Sequence, residues 1–304
     1  MEREPLVAWS NERLLPKMQQ KLGDYGQLVK FRLTVMVLCS GLVGFWLASG
    51  ASPDWSRMAW FALGTFLIIG GANAFNQVAE RSNDRLMQRT ASRPLPAGRM
   101  RVGEAVIAAT TMSVVGLGVL QYWTYLLSAV LAAIAMGVYL LVYTPLKRLS
   151  HWSTLAGAVS GAIPPLMGWS AVRNGLGLPA WALFGIVFFW QFPHTWSIAS
   201  AYREDFTRAG YQVLPLIDPE GRRTRVLVVL LSMSLAGVSL LPAALGVAGT
   251  VYVTGAAILG IVFIGYAIRY GRQRTRKPAI RLMAASLFYM PLILTLLLVD
   301  RRIV

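Results

Sequence analysis

The sequence has few of the side chains on which many soluble enzymes depend. In 304 residues there are one cysteine, Cys39, and two histidines, His151 and His194. A single thiol excludes an intramolecular disulfide and a cysteine-based metal cluster. Acidic residues are also scarce, with 13 against 29 lysines and arginines. Because carboxylates are so few, any place where they cluster is a candidate functional site.

Charged residues of both signs make up only 14% of the chain, whereas 56% of its residues are hydrophobic. This composition is unlike that of a soluble globular domain. Apolar runs of about 20 residues, enough for a helix to cross a bilayer, recur along most of the chain. We therefore predict an all-α polytopic membrane protein, a bundle of about nine transmembrane helices. The predicted spans are Leu33–Ser49, Trp60–Val78, Ala105–Leu120, Tyr125–Tyr143, Leu155–Val172, Trp181–Ala199, Val226–Leu241, Val251–Ile268 and Leu282–Val299.

No long soluble stretch separates these spans. We expect a cytoplasmic segment over residues 1–30 and a single transmembrane domain over residues 31–304. An acidic and polar stretch follows Met1 without an early apolar core, so a cleavable secretory signal is not expected.

The basic residues are distributed very unequally between the two sides of the predicted bundle. With nine spans, 25 of the 29 lysines and arginines fall on the side of the amino terminus, and four fall on the other side. Basic loops remain in the cytoplasm, so we expect a cytoplasmic amino terminus and an odd number of helices. The net charge of +16 is thereby explained by topology, and no nucleic-acid partner is expected.

The first acidic cluster follows the second predicted span. Asn76, Glu80 and Asp84 are spaced by four residues, which places their oxygens along one face of a helix. Magnesium prefers oxygen ligands and is often held by one or two carboxylates together with substrate phosphates. Arg89 and Arg93 follow at the same spacing, and guanidinium groups match phosphate oxygens. A solvated amphipathic extension with intrahelical ion pairs would give the same spacing, so both interpretations stay open at this point.

A second cluster follows the sixth predicted span, on the same predicted side of the membrane. It contains Tyr202, Arg203, Glu204 and Asp205. Two acidic loops that meet at one end of a bundle could clamp a diphosphate through magnesium. The sequence therefore predicts a magnesium-diphosphate site at the cytoplasmic end.

These residues occur in an ordered set of motifs that resembles the UbiA-type intramembrane prenyltransferases, and within them the branch that acts on heme. One departure is Ala209, which stands where relatives that act on quinone precursors have the second aspartate of a pair. The matching strings are Asn76-x-x-x-Glu80-x-x-x-Asp84, Met87-x-Arg89-Thr90-x-x-Arg93-Pro94-Leu95, Tyr143-Thr-Pro-Leu146-Lys147-Arg148, Gly161-Ala-Ile-Pro164-Pro165-x-x-Gly168-Trp169, Trp190-Gln-x-Pro193-His194 and Tyr202-Arg-x-Asp205-Phe.

The resemblance implies transfer of a farnesyl group from farnesyl diphosphate to a vinyl group of protoheme IX, giving heme O, in a multi-pass protein of the bacterial cytoplasmic membrane. It also implies membrane lipid around the prenyl tail, and a heme-copper oxidase assembly protein or heme A synthase as partner. The implied Mg²⁺ ligands are Asn76, Glu80, Asp84 and Asp205, which with Lys147 form the catalytic set. The implied diphosphate-binding residues are Arg89, Arg93, Arg148 and Arg203.

Heme or prenyl contacts are expected from four further side chains: His194, Tyr143, Trp190 and Tyr202. An aromatic face stabilises a desolvated cation, and a neutral imidazole can ligate heme iron. Aromatic residues also gather at membrane interfaces for other reasons, and His194 could instead bond a carbonyl group freed by Pro193.

Two other functions remain open. A quinone-precursor or chlorophyll-type prenyltransferase would share the diphosphate site, but the strings around Pro164 and His194 favour the heme branch. A transporter of an anionic substrate would place polar groups near the middle of the membrane. Here the ionisable residues lie at one end of the predicted helices and no internal repeat is visible, which favours an enzyme.

Overall fold

The computed structural model describes residues 8–273 and 275–302, and this part of the chain is almost entirely helical. Its only β-type pairing is an isolated bridge between Ala248 and Arg301. The predicted all-α class is therefore confirmed. The helices are α1 (Ala8–Leu28), α2 (Phe31–Ala48), α3 (Trp55–Leu86), α4 (Val102–Trp123), α5 (Leu126–Gly137), α6 (Thr144–Leu149), α7 (Ser153–Arg173), α8 (Leu178–Ala201), α9 (Arg203–Arg208), α10 (Leu214–Ile217), α11 (Arg222–Val238), α12 (Leu241–Ala244), α13 (Thr250–Arg272) and α14 (Arg276–Val299).

The protein is a multi-pass membrane protein, because eight helical segments of the described chain are long and apolar enough to cross a bilayer. These are α2, α3, α4, the continuous stretch from α5 to α6, α7, the stretch from α11 to α12, α13 and α14. Helix α8 is also 24 residues long but is not one of these eight segments. Gln191, Pro193 and His194 make its last turns more polar. The number of nine spans and the cytoplasmic amino terminus therefore stay predictions.

The fourth predicted span contains a π-helical segment, Val138–Tyr143, between α5 and α6. Pro145, in the first turn of α6, has no backbone N–H to donate, and its ring crowds the preceding turn. The local register widens there, and Thr144 Oγ1 donates to the carbonyl of Tyr139 at 2.8 Å. Single π-helical turns of this kind are frequent at functional sites, and this one carries Tyr139 and Tyr143.

Helices α2 and α7 pack backbone to backbone through glycines. A Cβ atom placed on Gly168 would lie 1.9 Å from the carbonyl oxygen of Gly41, and one on Gly44 would lie 2.2 Å from that of Pro165. Such distances leave no room for a methyl group. Pro164 and Pro165 lie within α7 and are buried in the same region. This tight contact fixes the position of α7 against α2.

We expect the substitution Gly168→Ala to lower the stability of the protein by on the order of 1–3 kcal/mol, the usual cost of overpacking. The added methyl group meets backbone, which cannot rotate away as a flexible side chain can. Thermal unfolding in detergent micelles should show a reduced midpoint. Gly118→Ala is the matched control, because this exposed α4 glycine has nothing within 4 Å of the added atom and alanine favours a helix. Equal midpoints for the two variants would contradict the expectation.

Candidate active site

The first predicted motif lies on the last turns of a single unbroken helix. Helix α3 runs for 32 residues, so the four-residue spacing of Asn76, Glu80 and Asp84 places them on one helical face, as predicted. All three side chains are buried, with relative exposures of 0%, 7% and 1%. A solvated amphipathic extension would expose them, and that interpretation is wrong for this helix.

Both carboxylates of this face pair with basic residues from outside α3. Lys147 Nζ on α6 donates to Glu80 Oε1 at 2.7 Å, and Arg93 Nη1 donates to Asp84 Oδ2 at 2.7 Å. Arg93 reaches back from the loop after α3, where Thr90 Oγ1 also donates to the carbonyl of Asp84. Buried charges need such partners, and the structure brings Lys147 of the predicted catalytic set and Arg93 of the predicted diphosphate-binding set to this face.

A third cation, Lys30, was not predicted by the sequence analysis. Its Nζ donates to Asn76 Oδ1 at 2.7 Å. Gln77 holds the turn between α1 and α2 in place, since its Nε2 donates to the carbonyls of Gln27 and Leu28 at 2.7 Å each. Lys30 itself adopts a left-handed backbone conformation with φ of 49°, which is uncommon for a side-chain-bearing residue and can mark a functional constraint.

Burial lowers the pKa of Lys30 to about 7, and the positive charges of Arg93 and Lys147 act in the same direction. Lys30 therefore belongs to the same electrostatic cluster as these two residues. A single lysine just before an apolar span is typical of a membrane-topology signal, so its sequence position carried no sign of this role.

Aromatic rings surround the Lys147 ammonium. Its Nζ lies 4.5 Å from the ring centroid of Tyr143 and 5.6 Å from that of Tyr211. Tyr143 stacks on Tyr139 with the ring centroids 5.3 Å apart, and burial raises the pKa of the Tyr211 phenol. Cation–π contacts of this kind stabilise a desolvated ammonium.

The second predicted loop meets the loop that follows α3, through Asp205. Its Oδ1 accepts the backbone N–H of Gln88 at 3.2 Å and its Oδ2 that of Arg89 at 3.3 Å, while Arg208 forms an ion pair with it. Burial acts to raise the pKa of Asp205, but the hydrogen bonds from Arg208 and from these two amides hold it below its usual value. In this structure the carboxylate ties two loops together.

Two of the arginines predicted to bind diphosphate make other contacts, and a third is exposed. The Arg89 guanidinium lies 5.5 Å from the ring centroid of Tyr202 and 5.9 Å from that of Phe206. Arg203 donates to the carbonyls of Pro215 and Leu216, and Arg148 is exposed. Their role in diphosphate binding, like that of Asp205 in metal binding, stays a prediction.

The residues on α3 fit magnesium only as an open site. Within residues 8–273 and 275–302, no three histidine, cysteine or acidic side chains converge in a way that could hold a metal ion. Mg²⁺ does not require such a cage, because one or two carboxylates plus phosphate oxygens and water complete its shell. Asn76, Glu80 and Asp84 offer one amide and two carboxylate groups, hard oxygen donors of the kind that it prefers.

A largely apolar cavity of about 270 Å³ begins beside this cluster and extends between α2, α3, α7 and α8. Asn73, Tyr139 and Tyr143 line it near the charged face of α3, and His194 and Trp190 line it on α8. Its apolar lining includes Leu33, Met36, Val37, Ile68, Met136 and Met167. An elongated apolar molecule with a charged head fits this arrangement.

His194 and Trp190 form one unit on α8, where their rings stack with centroids 4.3 Å apart. His194 Nδ1 lies 2.7 Å from Ser286 Oγ, and Trp190 Nε1 donates to the Ser286 carbonyl at 2.8 Å. The expected alternative, a bond from His194 to a freed carbonyl, is not what this ring makes. Ser286 lies on α14, which the sequence analysis did not assign to the site because a neutral serine in an apolar run gives no signal.

Comparison with known proteins gives a consistent result. Residues 37–292 match the sequence profile described as the UbiA prenyltransferase family. The chain is 42% identical over 287 residues to a protoheme IX farnesyltransferase of Solibacter usitatus, with 91% of this chain and 98% of that protein covered. It is 38% identical over 298 residues to a protoheme IX farnesyltransferase of Koribacter versatilis, with coverages of 95% and 96%.

Solved structures share the fold. A digeranylgeranylglyceryl phosphate synthase superposes with a TM-score of 0.77 at 19% identity, covering 92% of this chain and 98% of that one. A UbiA homologue from Archaeoglobus fulgidus, bound to GPP and Mg²⁺, superposes with a TM-score of 0.62 at 16% identity, with coverages of 90% and 99%.

Proposed function

The chain belongs to the UbiA prenyltransferase family, and from this premise we propose that it transfers a farnesyl group from farnesyl diphosphate to a vinyl group of protoheme IX, giving heme O. The relatives that match nearly the whole chain at 38–42% identity carry that activity in their names. The acceptor in particular is taken from them, because the distant solved structures support the fold alone.

The observation that carries the proposal is the row of three cations over the polar face of α3. Lys30, Lys147 and Arg93 each contact one side chain of that face within 2.7 Å, next to an apolar cavity. When the bond between the first farnesyl carbon and the diphosphate oxygen breaks, its electron pair leaves with the diphosphate. Fixed cations in a site shielded from water stabilise that developing negative charge.

Mg²⁺ would be held by Asn76, Glu80 and Asp84, with Asp205 as a further ligand, and when bound it would neutralise diphosphate oxygens and promote their departure. Additional positive charge near the diphosphate would come from Arg89, Arg148 and Arg203. The allylic cation that remains would lie against Tyr143, since an aromatic face favours a desolvated cation.

The acceptor would occupy the apolar cavity on the α8 side. The terminal carbon of one vinyl group of protoheme would form the bond to the first farnesyl carbon with the vinyl π-electron pair, which leaves a cation on the vinyl carbon attached to the porphyrin. Water would add to that carbon and lose a proton to solvent, completing the hydroxyethylfarnesyl group. Trp190 and His194 line this end of the cavity and would contact the porphyrin, whereas Tyr202 would lie nearer the diphosphate end, beside Arg89.

The bacterial relatives support a place in a bacterial membrane, which we propose to be the cytoplasmic membrane. The excess of lysines and arginines on one side supports an amino terminus in the cytoplasm, and the prenyl tail would be open to lipid. A product held in the membrane must be passed on, so a heme A synthase or a heme-copper oxidase assembly protein is the expected partner. Co-purification with affinity-tagged protein from native membranes would test this.

The deciding assay uses purified protein in lipid with protoheme, farnesyl diphosphate and Mg²⁺, and follows farnesylated heme by mass spectrometry. We expect a product that is lost on adding a chelator and restored by excess Mg²⁺. A parallel reaction supplies an aromatic quinone precursor in place of protoheme. Product on that acceptor alone would retain the diphosphate site but refute the heme assignment.

We expect Lys30→Gln to raise the KM for farnesyl diphosphate about tenfold or more, because a hydrogen bond to a charged group contributes about 1.5–3 kcal/mol. Steady-state kinetics with varied farnesyl diphosphate measure this change. Lys21→Gln is the matched control, since Lys21 lies within α1 and pairs with Glu104 at the exposed surface. An unchanged KM in Lys30→Gln would exclude Lys30 from diphosphate binding.

A further inference from the structure

Ser286 is the point at which α14 meets the α8 side of the cavity. The residue is fully buried, with 0% exposure, and two of its atoms make hydrogen bonds to neighbouring side chains. Its Oγ lies 2.7 Å from His194 Nδ1 and its carbonyl accepts the indole N–H of Trp190 at 2.8 Å. One serine therefore holds both rings of the stacked pair.

The hydroxyl proton of Ser286 has its own acceptor. Ser286 Oγ donates to the backbone carbonyl of Met283 at 2.6 Å, and a serine hydroxyl has only one proton to donate. With its proton directed to Met283, the oxygen acts as acceptor toward His194, and the imidazole acts as donor. The proton of the neutral ring is therefore on Nδ1, because the hydrogen bond that one ring nitrogen makes determines which of the two nitrogens is protonated.

The second ring nitrogen is left with a lone pair. Among the described residues, Nε2 of His194 has no hydrogen-bond partner, and the side chain lines the central cavity. Stacking on Trp190, with an angle of 15° between the ring planes, limits rotation of the ring. A neutral imidazole with one nitrogen anchored and the other nitrogen unprotonated is the form that binds iron.

We infer that Ser286 is a positioning residue that holds His194 in the Nδ1-protonated tautomer, so that Nε2 serves as an axial ligand to the iron of protoheme in the cavity. The assignment of the iron ligand rests on the proposed function, whereas the tautomer does not. The same contact joins α14 to α8 at the proposed acceptor end of the cavity.

The tautomer can be measured directly because the chain has only two histidines. In protein with the change His151→Gln, ¹⁵N-labelled histidine and an affinity tag free of histidine, NMR reports His194 alone. We expect a protonated Nδ1 and an unprotonated Nε2 near neutral pH. Ser286→Ala should mix the two tautomers, and Ser286→Thr, which keeps the hydroxyl, should restore the original signals. A proton on Nε2 in the serine form would overturn the inference.

Heme ligation is the second readout. We expect the absorption spectrum of bound ferric protoheme to change in His194→Ala, and the affinity for protoheme to fall about 10- to 100-fold in Ser286→Ala, the usual effect of removing the partner of a ligating histidine. Ser197→Ala is the matched control, because this buried α8 serine bonds only the backbone carbonyl of His194. A spectrum unchanged by His194→Ala would exclude the axial ligand.

The two failures are distinguishable. If the tautomer and heme spectra behave as expected but the wild-type protein forms no farnesylated heme, the proposed reaction fails and the inference on Ser286 stands. If farnesylated heme forms at wild-type rate and affinity in both Ser286→Ala and His194→Ala, the inference fails and the reaction stands.

Discussion

Asp84→Ala should reduce the rate of farnesyl transfer by about 100- to 1,000-fold, the range observed when one fixed electrostatic group is removed from an active site. Asp84 is 1% exposed and its Oδ2 holds the Arg93 guanidinium at 2.7 Å. Its removal takes away a proposed metal ligand and releases Arg93 from the position that it holds beside the proposed diphosphate site. Single-turnover measurements of farnesylated heme at saturating substrate would report the chemical step.

Asp84→Asn separates charge from shape, since the amide keeps the size of the side chain and one oxygen. We expect it to retain more activity than Asp84→Ala and to require more Mg²⁺ for half-maximal rate. Glu220→Ala is the control for loss of an acidic residue, because Glu220 forms an exposed ion pair with Arg222 after α10. Full activity in Asp84→Ala would contradict the proposed diphosphate site.

The second large effect concerns the ion pair between Glu80 and Lys147. The side chains are only 9% and 16% exposed, so removal of one partner leaves a buried charge without compensation, at a cost of about 3–5 kcal/mol. We expect Lys147→Met and Glu80→Met each to lower the thermal unfolding midpoint strongly. The double variant should be more stable than either single one, because it leaves no unpaired charge.

The exposed pair Lys21 and Glu104 is the matched control for this double-mutant cycle. Its Nζ and Oε1 atoms are also 2.7 Å apart, but the lysine side chain is 46% exposed. Surface pairs couple weakly because water and salt screen them, so the equivalent changes there should be nearly additive. Additive effects at Glu80 and Lys147 as well would show that the two charges are not coupled. This test measures stability, and its outcome does not depend on the substrates.

Much of the fold was predictable because it depends on local properties of the sequence. Six of the nine predicted spans fall within one helical stretch of the structure, since a long apolar run is hydrogen-bonded within itself as a helix in any membrane. The first and fourth extend one residue beyond the helix, at Ser49 and Tyr125, and the seventh crosses the turn between α11 and α12. The common face of Asn76, Glu80 and Asp84 was predictable for the same reason, because a helix fixes the angle between residues four apart. The π-helical segment was not predicted, since its widened register depends on how Pro145 is accommodated in the packed bundle.

The partners of the site residues were harder to predict because sequence separation gives no distance. Arg93 was assigned to the site by its spacing and by resemblance, and Lys147 by resemblance alone. Which carboxylate each of them contacts was not predicted. Arg203 was predicted to bind diphosphate but donates to backbone carbonyls of α10. Arg93, Lys147 and Arg203 are all basic residues near predicted helix ends. Residue type and position in the sequence therefore could not distinguish the two that contact α3 from the one that does not.

The sequence by itself therefore determined the class of protein, the helices, the acidic face of α3 and, through its motifs, the family. The tertiary structure alone decided that Lys30 completes the row of cations and that Ser286 anchors His194. These contacts join residues 46 and 92 positions apart, and they form only when whole helices pack. The physical reason is that helix formation depends on neighbouring residues in the chain, whereas the pairing of buried polar groups depends on which helix faces meet.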